Sequence, residues 1–88
     1  ITKGEYRLLF TFAERQMETV FFETARAAVA AGTATPEQNL YVTMREDFDA
    51  AEFIVLTDAA VSAALDFQVT FGLLAPERKA QVLARVTP

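Results

Sequence analysis

The 88-residue chain contains no cysteine and no histidine, and it has only three glycines and three prolines. Without cysteine it forms neither a disulfide framework nor a thiolate metal site, and without histidine it lacks the commonest ligand of zinc and iron. The missing histidine also removes the usual base of a serine nucleophile and the Glu-x-x-His ligands of a di-iron helical bundle. We therefore expect no enzymatic activity, no catalytic residue, no metal and no cofactor.

Lysine and arginine are absent between Arg45 and Arg78, although the whole chain carries eight bases against twelve acids. The acids of that stretch predict an acidic face on the helix after residue 50, at Asp58 and Asp66. Binding to nucleic acid needs a patch of bases, so direct contact with nucleic acid is not expected. The acidic face is interpreted either as a solvated surface or as a docking surface for a basic partner.

A segment of residues 53–74 is long enough to cross a bilayer, but Asp58 and Asp66 interrupt it at a high energetic cost. Membrane association is therefore not expected. The first ten residues lack the apolar core and cleavage site of a signal peptide, so we expect a soluble protein whose compartment the sequence leaves open. Because the chain begins with Ile1 and not with methionine, we expect residues 1–88 to be a single helical domain of a longer or processed chain.

Apolar residues make up 52% of the chain, with eight phenylalanines among them. They recur at helical spacing and few breakers interrupt them, which predicts an all-α fold, a small bundle of three to four helices. The predicted helices span about 4–31, 36–47, 50–71 and 76–86, and the long first helix is expected to lie antiparallel to the third. Gly32 and Gly72 are expected to end helices, and Thr35 with Gln38 to start the second one.

The long first helix carries two sets of apolar residues on different sides. The set expected to face the core consists of Tyr6, Phe10, Ala13, Met17, Val20, Phe21, Thr24 and Ala28. A second set points well away from it at 100° per residue and consists of Leu8, Phe12, Phe22 and Val29. Since one helix needs only one apolar stripe to join a core, we predict that the second set meets a protein partner or a second copy of the chain.

The acidic octet at residues 46–53, EDFDAAEF, suggests either a helix start or a cation site. Asp49 followed by Glu52 forms a capping-box pattern, and Phe48 and Phe53 stand where a hydrophobic staple would lie. We therefore predict Asp49 and Glu52 as the cap of the third helix. A weak divalent-cation site at residues 46–52 is left open, although the octet lacks the glycine-containing calcium loop.

Surplus apolar surface and one-sided charge favour a non-enzymatic helical interaction or structural module that acts as a subunit of a larger protein assembly. The alternative is a small carrier or sensor that binds an apolar ligand between the first and third helices. Its expected lining is Phe10, Met17, Phe21, Phe67 and Phe71.

Overall fold

The chain folds into five α-helices joined by short links in the computed structural model, which describes all 88 residues. They are α1 (Lys3–Arg7), α2 (Phe12–Ala31), α3 (Pro36–Ala50), α4 (Ala59–Thr70) and α5 (Pro76–Leu83). There is no strand, and the only extended pairing is an isolated bridge between Thr2 and Phe53. The predicted all-α helical bundle is therefore confirmed.

The predicted continuous helix over residues 4–31 is wrong, because the chain turns between Arg7 and Phe12. Thr11 starts α2 with a capping box: its hydroxyl accepts from the Glu14 backbone N–H at 3.1 Å, and the Glu14 carboxylate accepts from the Thr11 N–H at 2.8 Å. Thr2 and Glu5 form the same box at the start of α1. Each box satisfies backbone donors that a helix start would otherwise leave unpaired, so two separate helices form.

The predicted helix cap at Asp49 and Glu52 is also wrong. Asp49 lies inside the last turn of α3, and Glu52 lies in the link that follows it. The cap of α4 is instead Asp58, whose carboxylate accepts from the Ala60 N–H at 2.9 Å. The predicted helix over residues 50–71 therefore begins nine residues later, at Ala59.

The link between α3 and α4 is extended because it pairs with the start of the chain. The Ile54 N–H donates to the Ile1 carbonyl at 2.8 Å, and the Ile1 nitrogen donates to the Ile54 carbonyl at 2.9 Å. The sequence Phe-Ile-Val-Leu at residues 53–56 is rich in β-branched and aromatic residues, which suit an extended backbone. Ile54 is only 6% exposed, so its burial in the core holds this link in place.

Antiparallel packing joins α2 to α3, as the order of their contacts shows. Glu18 pairs with Arg45, and further along α2 Phe21 meets the earlier residue Tyr41. Gly32, at a φ of 72°, caps α2 and allows the short turn into α3, as predicted from the sequence. The main partner of the long helix is thus α3, whereas the sequence predicted the helix after residue 50.

One apolar core connects the ends of the chain to its middle. Its fully buried centre is Leu65 of α4 and Val82 of α5. The buried residues packed around them are Tyr6, Leu9, Ile54 and Leu74. Val82 is therefore central to the core, and α5 ends at Leu83 rather than near residue 86, where the sequence predicted its end.

Candidate functional site

The face of α2 that packs against the rest of the protein is rotated by one residue from the stripe predicted to face the core. Its buried or half-buried members are Glu14, Glu18, Phe21, Ala25 and Ala28. The predicted core residues that are exposed instead are Ala13, Met17, Val20 and Thr24. One residue corresponds to 100° on a helix, so two carboxylates lie on the inner face and an apolar stripe faces solvent.

Glu18 is held by two groups of α3. One of its carboxylate oxygens accepts from the Tyr41 hydroxyl at 2.7 Å and from the Arg45 guanidinium at 2.5 Å. Burial, together with the hydrogen bond to Glu18, raises the pKa of Tyr41 well above its usual range. The phenol therefore stays protonated and donates a hydrogen bond to Glu18. Arg45 also lies over the Phe22 ring, with its guanidinium carbon 4.6 Å from the ring centroid.

Glu14 is held by Arg78 of α5. The Arg78 guanidinium donates to both Glu14 oxygens, at 2.9 and 3.1 Å, and to the Leu9 carbonyl at 2.7 Å. Partial burial works to raise the pKa of Glu14, but the hydrogen bonds from Arg78 and from the Thr11 backbone outweigh burial, and the pKa is lowered. This bidentate pair fixes α5 against the link before α2.

An aromatic cluster fills the space where the alternative interpretation expected an apolar ligand. Phe21 lies edge-on to Phe67 at 6.0 Å between ring centroids and 5.8 Å from Phe71. Phe67 stacks on Phe71 at 4.4 Å and on Tyr41 at 5.1 Å. Three residues of the predicted lining therefore pack against one another, and Met17 is exposed. Binding of an apolar ligand by this chain stays a prediction.

The four residues predicted to meet a partner differ in exposure, and their role in binding stays a prediction. Leu8, the residue that ends α1, is 64% exposed, and Phe12, the first residue of α2, is 74% exposed. Val29, near the other end of the helix, is 38% exposed. Phe22 is half-buried, and the Arg45 guanidinium lies over its ring.

Another exposed surface runs along α2, and the sequence analysis assigned four of its residues to the core. We call it the α2 outer face; its exposed residues are Ala13, Met17, Val20, Thr24, Ala27 and Ala31. They follow alternating steps of four and three residues, the spacing of a coiled-coil seam. No charged residue lies on the face, and it extends for about 27 Å at 1.5 Å per residue.

Both residues of the predicted acidic face have partners within the chain. Asp58 caps α4, and Asp66 accepts from the Lys79 ammonium of α5 at 2.6 Å. Lys79 lies outside the base-free stretch of sequence and reaches this face only in the fold. Docking of a basic partner at Asp58 and Asp66 stays a prediction.

The remaining acids do not assemble into a larger cluster. No group of three or more acidic side chains is placed to hold a metal ion, including those at residues 46–52. None of the helices combines the length and apolarity needed to cross a bilayer.

No protein-family model, curated protein or solved structure matches this chain. Function is therefore inferred from the contacts, charges and exposed surfaces of the chain itself. The two features that stand out are the α2 outer face and the pair of inner glutamates with their arginines.

Acid is expected to weaken the fold through Glu14. Because the pKa of Glu14 is lower in the folded chain, its ionised form stabilises the fold fully above pH 4.5, and this contribution is lost as the pH falls through the folded pKa. The Glu14→Gln variant should be less stable than the parent by about 2 kcal/mol at neutral pH. Chemical unfolding at a series of pH values should show this gap closing in acid.

The control for this experiment is Glu23→Gln, which changes an exposed glutamate of the same helix that forms no ion pair. It should leave stability nearly unchanged across the series. A gap for Glu14→Gln that persisted unchanged in acid would show that the ionised pair is not its source.

Proposed function

We propose that this chain is a non-enzymatic helical interaction module, a subunit of a larger protein assembly in which the α2 outer face packs on a second copy of the chain. The observation that supports it is an apolar helix face left uncovered. Ten large apolar side chains of the chain are exposed, Met17 and Val20 of the α2 outer face among them, whereas only ten of the 88 residues are buried. Exposed apolar surface of this extent on a small domain is typical of an association surface.

Helix packing is the form of contact that the outer face suits. A seam with steps of four and three residues stays aligned with a second helix over its whole length. Ala13, Ala27 and Ala31 carry small side chains, so a neighbouring helix can approach closely at either end of the seam. The bulkier side chains, Met17 and Val20, lie between these ends.

A second copy in antiparallel orientation complements this seam by size. With the two-fold axis near residue 22, Met17 lies opposite Ala27 of the second copy, and Ala13 lies opposite Ala31. Val20 lies opposite Thr24, and every contact occurs twice, as a two-fold interface requires. The seam brings no like charges together, because none of its six residues is charged.

Light scattering on the intact chain tests the proposal. We expect a dimer that dissociates on dilution, and we expect Val20→Glu to be a monomer, since it places two carboxylates within an apolar seam. Val20 is 62% exposed in the single chain, so the helical circular dichroism signal should be preserved.

Leu40→Glu is the matched control, because Leu40 is 52% exposed on α3 and lies outside the seam. This variant should remain a dimer. A parent chain that stays monomeric at every concentration, unaffected by Val20→Glu, would rule out self-association through α2.

A further inference from the structure

A cavity of about 310 Å³ opens where α1, the start of α2, α3 and α4 meet. This volume lies at the small end of the range for small-molecule sites. Its apolar lining consists of Tyr6, Phe10, Tyr41, Met44, Phe48 and Ala64. It is distinct from the α2 outer face, none of whose residues line it.

Aromatic rings form one wall of this cavity. Phe10 lies edge-on to Tyr6 at 5.2 Å between centroids, and Phe48 lies tilted against Tyr6 at 5.6 Å. Rings that already meet in edge-on and tilted geometry offer faces and edges to another flat ring. A planar apolar group suits such a wall better than a bulky one.

The Tyr6 hydroxyl is an unused polar group at the wall. Tyr6 is only 9% exposed, and its hydroxyl forms no hydrogen bond within the chain. Because no fully buried side-chain oxygen lacks a partner, this hydroxyl is not fully enclosed by protein, and Tyr6 is one of the residues that line the cavity. Burial, with a smaller effect of the Glu18 charge, raises the pKa of Tyr6 to about 12, so the group is a hydrogen-bond donor at neutral pH.

More bases than acids line the cavity, although the whole chain is acidic. The acids in the lining are all paired: Glu14 with Arg78, Glu18 with Arg45, and Asp49 with Arg45.

Two bases of the lining, Arg7 and Arg15, form no ion pair and no side-chain hydrogen bond. Both also line a shallow depression beside the cavity, so they lie together at its edge. Lys3, the remaining base, donates only to the Asp49 carbonyl, at 2.8 Å. Free guanidinium groups beside an aromatic wall are suited to a carboxylate that carries a flat apolar body.

We propose that this cavity binds a small aromatic carboxylate, with its ring against Tyr6, Phe10 and Phe48 and its carboxylate at Arg7 and Arg15. The Tyr6 hydroxyl donates to an oxygen of the bound molecule. This site is independent of the proposed assembly, because Arg7 and Arg15 lie off the α2 outer face.

Calorimetric titration with 2-naphthoate tests the site on the intact chain. We expect saturable binding to one site, and we expect the neutral analogue 2-naphthamide to bind at least about tenfold more weakly, since it gives up the charged hydrogen bonds. The double variant Arg7→Gln/Arg15→Gln should lose a similar factor for 2-naphthoate. Tyr6→Phe, which keeps the ring, should weaken binding by a smaller factor.

Arg26→Gln is the matched control, because it removes an exposed base of α2 that does not line the cavity. It should bind 2-naphthoate like the parent. Absence of 2-naphthoate binding, equal affinity for 2-naphthamide, or unchanged affinity in the double variant would each overturn the proposal. Binding of decanoate as tight as that of 2-naphthoate would overturn the aromatic class of the ligand.

Discussion

Replacing Leu65 by alanine is expected to lower the free energy of unfolding by about 3 kcal/mol. Leu65 is 0% exposed, and the cluster around it joins residues from α1, the extended link, α4 and α5. A cavity at that point removes contacts from several segments at once, and close packing leaves little room for them to collapse into it. In a domain of this size the loss should lower Tm by more than about 10 °C.

Thermal and urea unfolding of Leu65→Ala would measure this loss, with Leu40→Ala as the control. Leu40→Ala makes the same chemical change at a half-exposed position of α3 and should alter stability by less than about 0.5 kcal/mol. Leu65→Met, which keeps the side-chain volume, should cost less than about 1.5 kcal/mol. Equal losses for the two alanine variants would contradict the placement of Leu65 at the centre of the core.

Replacing Arg78 by glutamine is expected to cost about 2.5 kcal/mol, the second largest effect. Arg78 and Glu14 are only 13% and 15% exposed at their side chains, so removal of the guanidinium leaves a largely buried carboxylate without its cation. The Leu9 carbonyl loses its donor in the same change. Both effects act on the contact between α5 and the start of α2.

The neighbouring base provides the control for Arg78→Gln. Lys79 pairs with Asp66, whose side chain is 62% exposed, and exposed pairs of this kind contribute little. Lys79→Gln should therefore change stability by less than about 0.5 kcal/mol in urea unfolding. Comparable losses of stability for Lys79→Gln and Arg78→Gln would show that the pair of Arg78 with Glu14 stabilises the fold no more than an exposed pair does.

The sequence predicts a helix start correctly where a capping box lies between an apolar helix and the turn before it, as at Thr35. Thr35 with Gln38 starts α3, as predicted, and Pro76 opens α5 where the last predicted helix begins. The same rule, applied to Thr11 with Glu14, would have found the break before α2, because Thr-x-x-Glu is the other form of the same capping box.

The start of α4 was not predictable by that rule. Asp49 with Glu52 matches the capping box better than Asp58 does, because only the first has an acid three residues later. Helix α4 begins at the later position because of Ile54, whose burial and backbone pairing with Ile1 hold the link before α4 extended. A contact between residues 53 positions apart has no local signal.

The candidate binding surfaces also divide into those that nearby residues in the sequence indicate and those that only distant contacts create. Leu8 and Phe12 were predictable as exposed apolar residues, but the cavity was not, since its lining comes from α1 to α4. That Arg7 and Arg15 stay unpaired, whereas the acids of the cavity lining are all paired, is visible only in the fold.

The sequence by itself determined the helical class of this chain, its turns at Gly32 and Gly72, and its surplus of apolar surface. These follow from propensity, spacing and composition, which act over a few residues. Only the tertiary structure decided which face of α2 turns inward. Spacing favoured Met17 and Val20 for the core, but Arg45 and Arg78 arrive from other helices and stabilise Glu18 and Glu14 there. With both glutamates paired on the inner face, the apolar stripe of α2 faces solvent, and this arrangement depends on contacts between helices that have no local signal in the sequence.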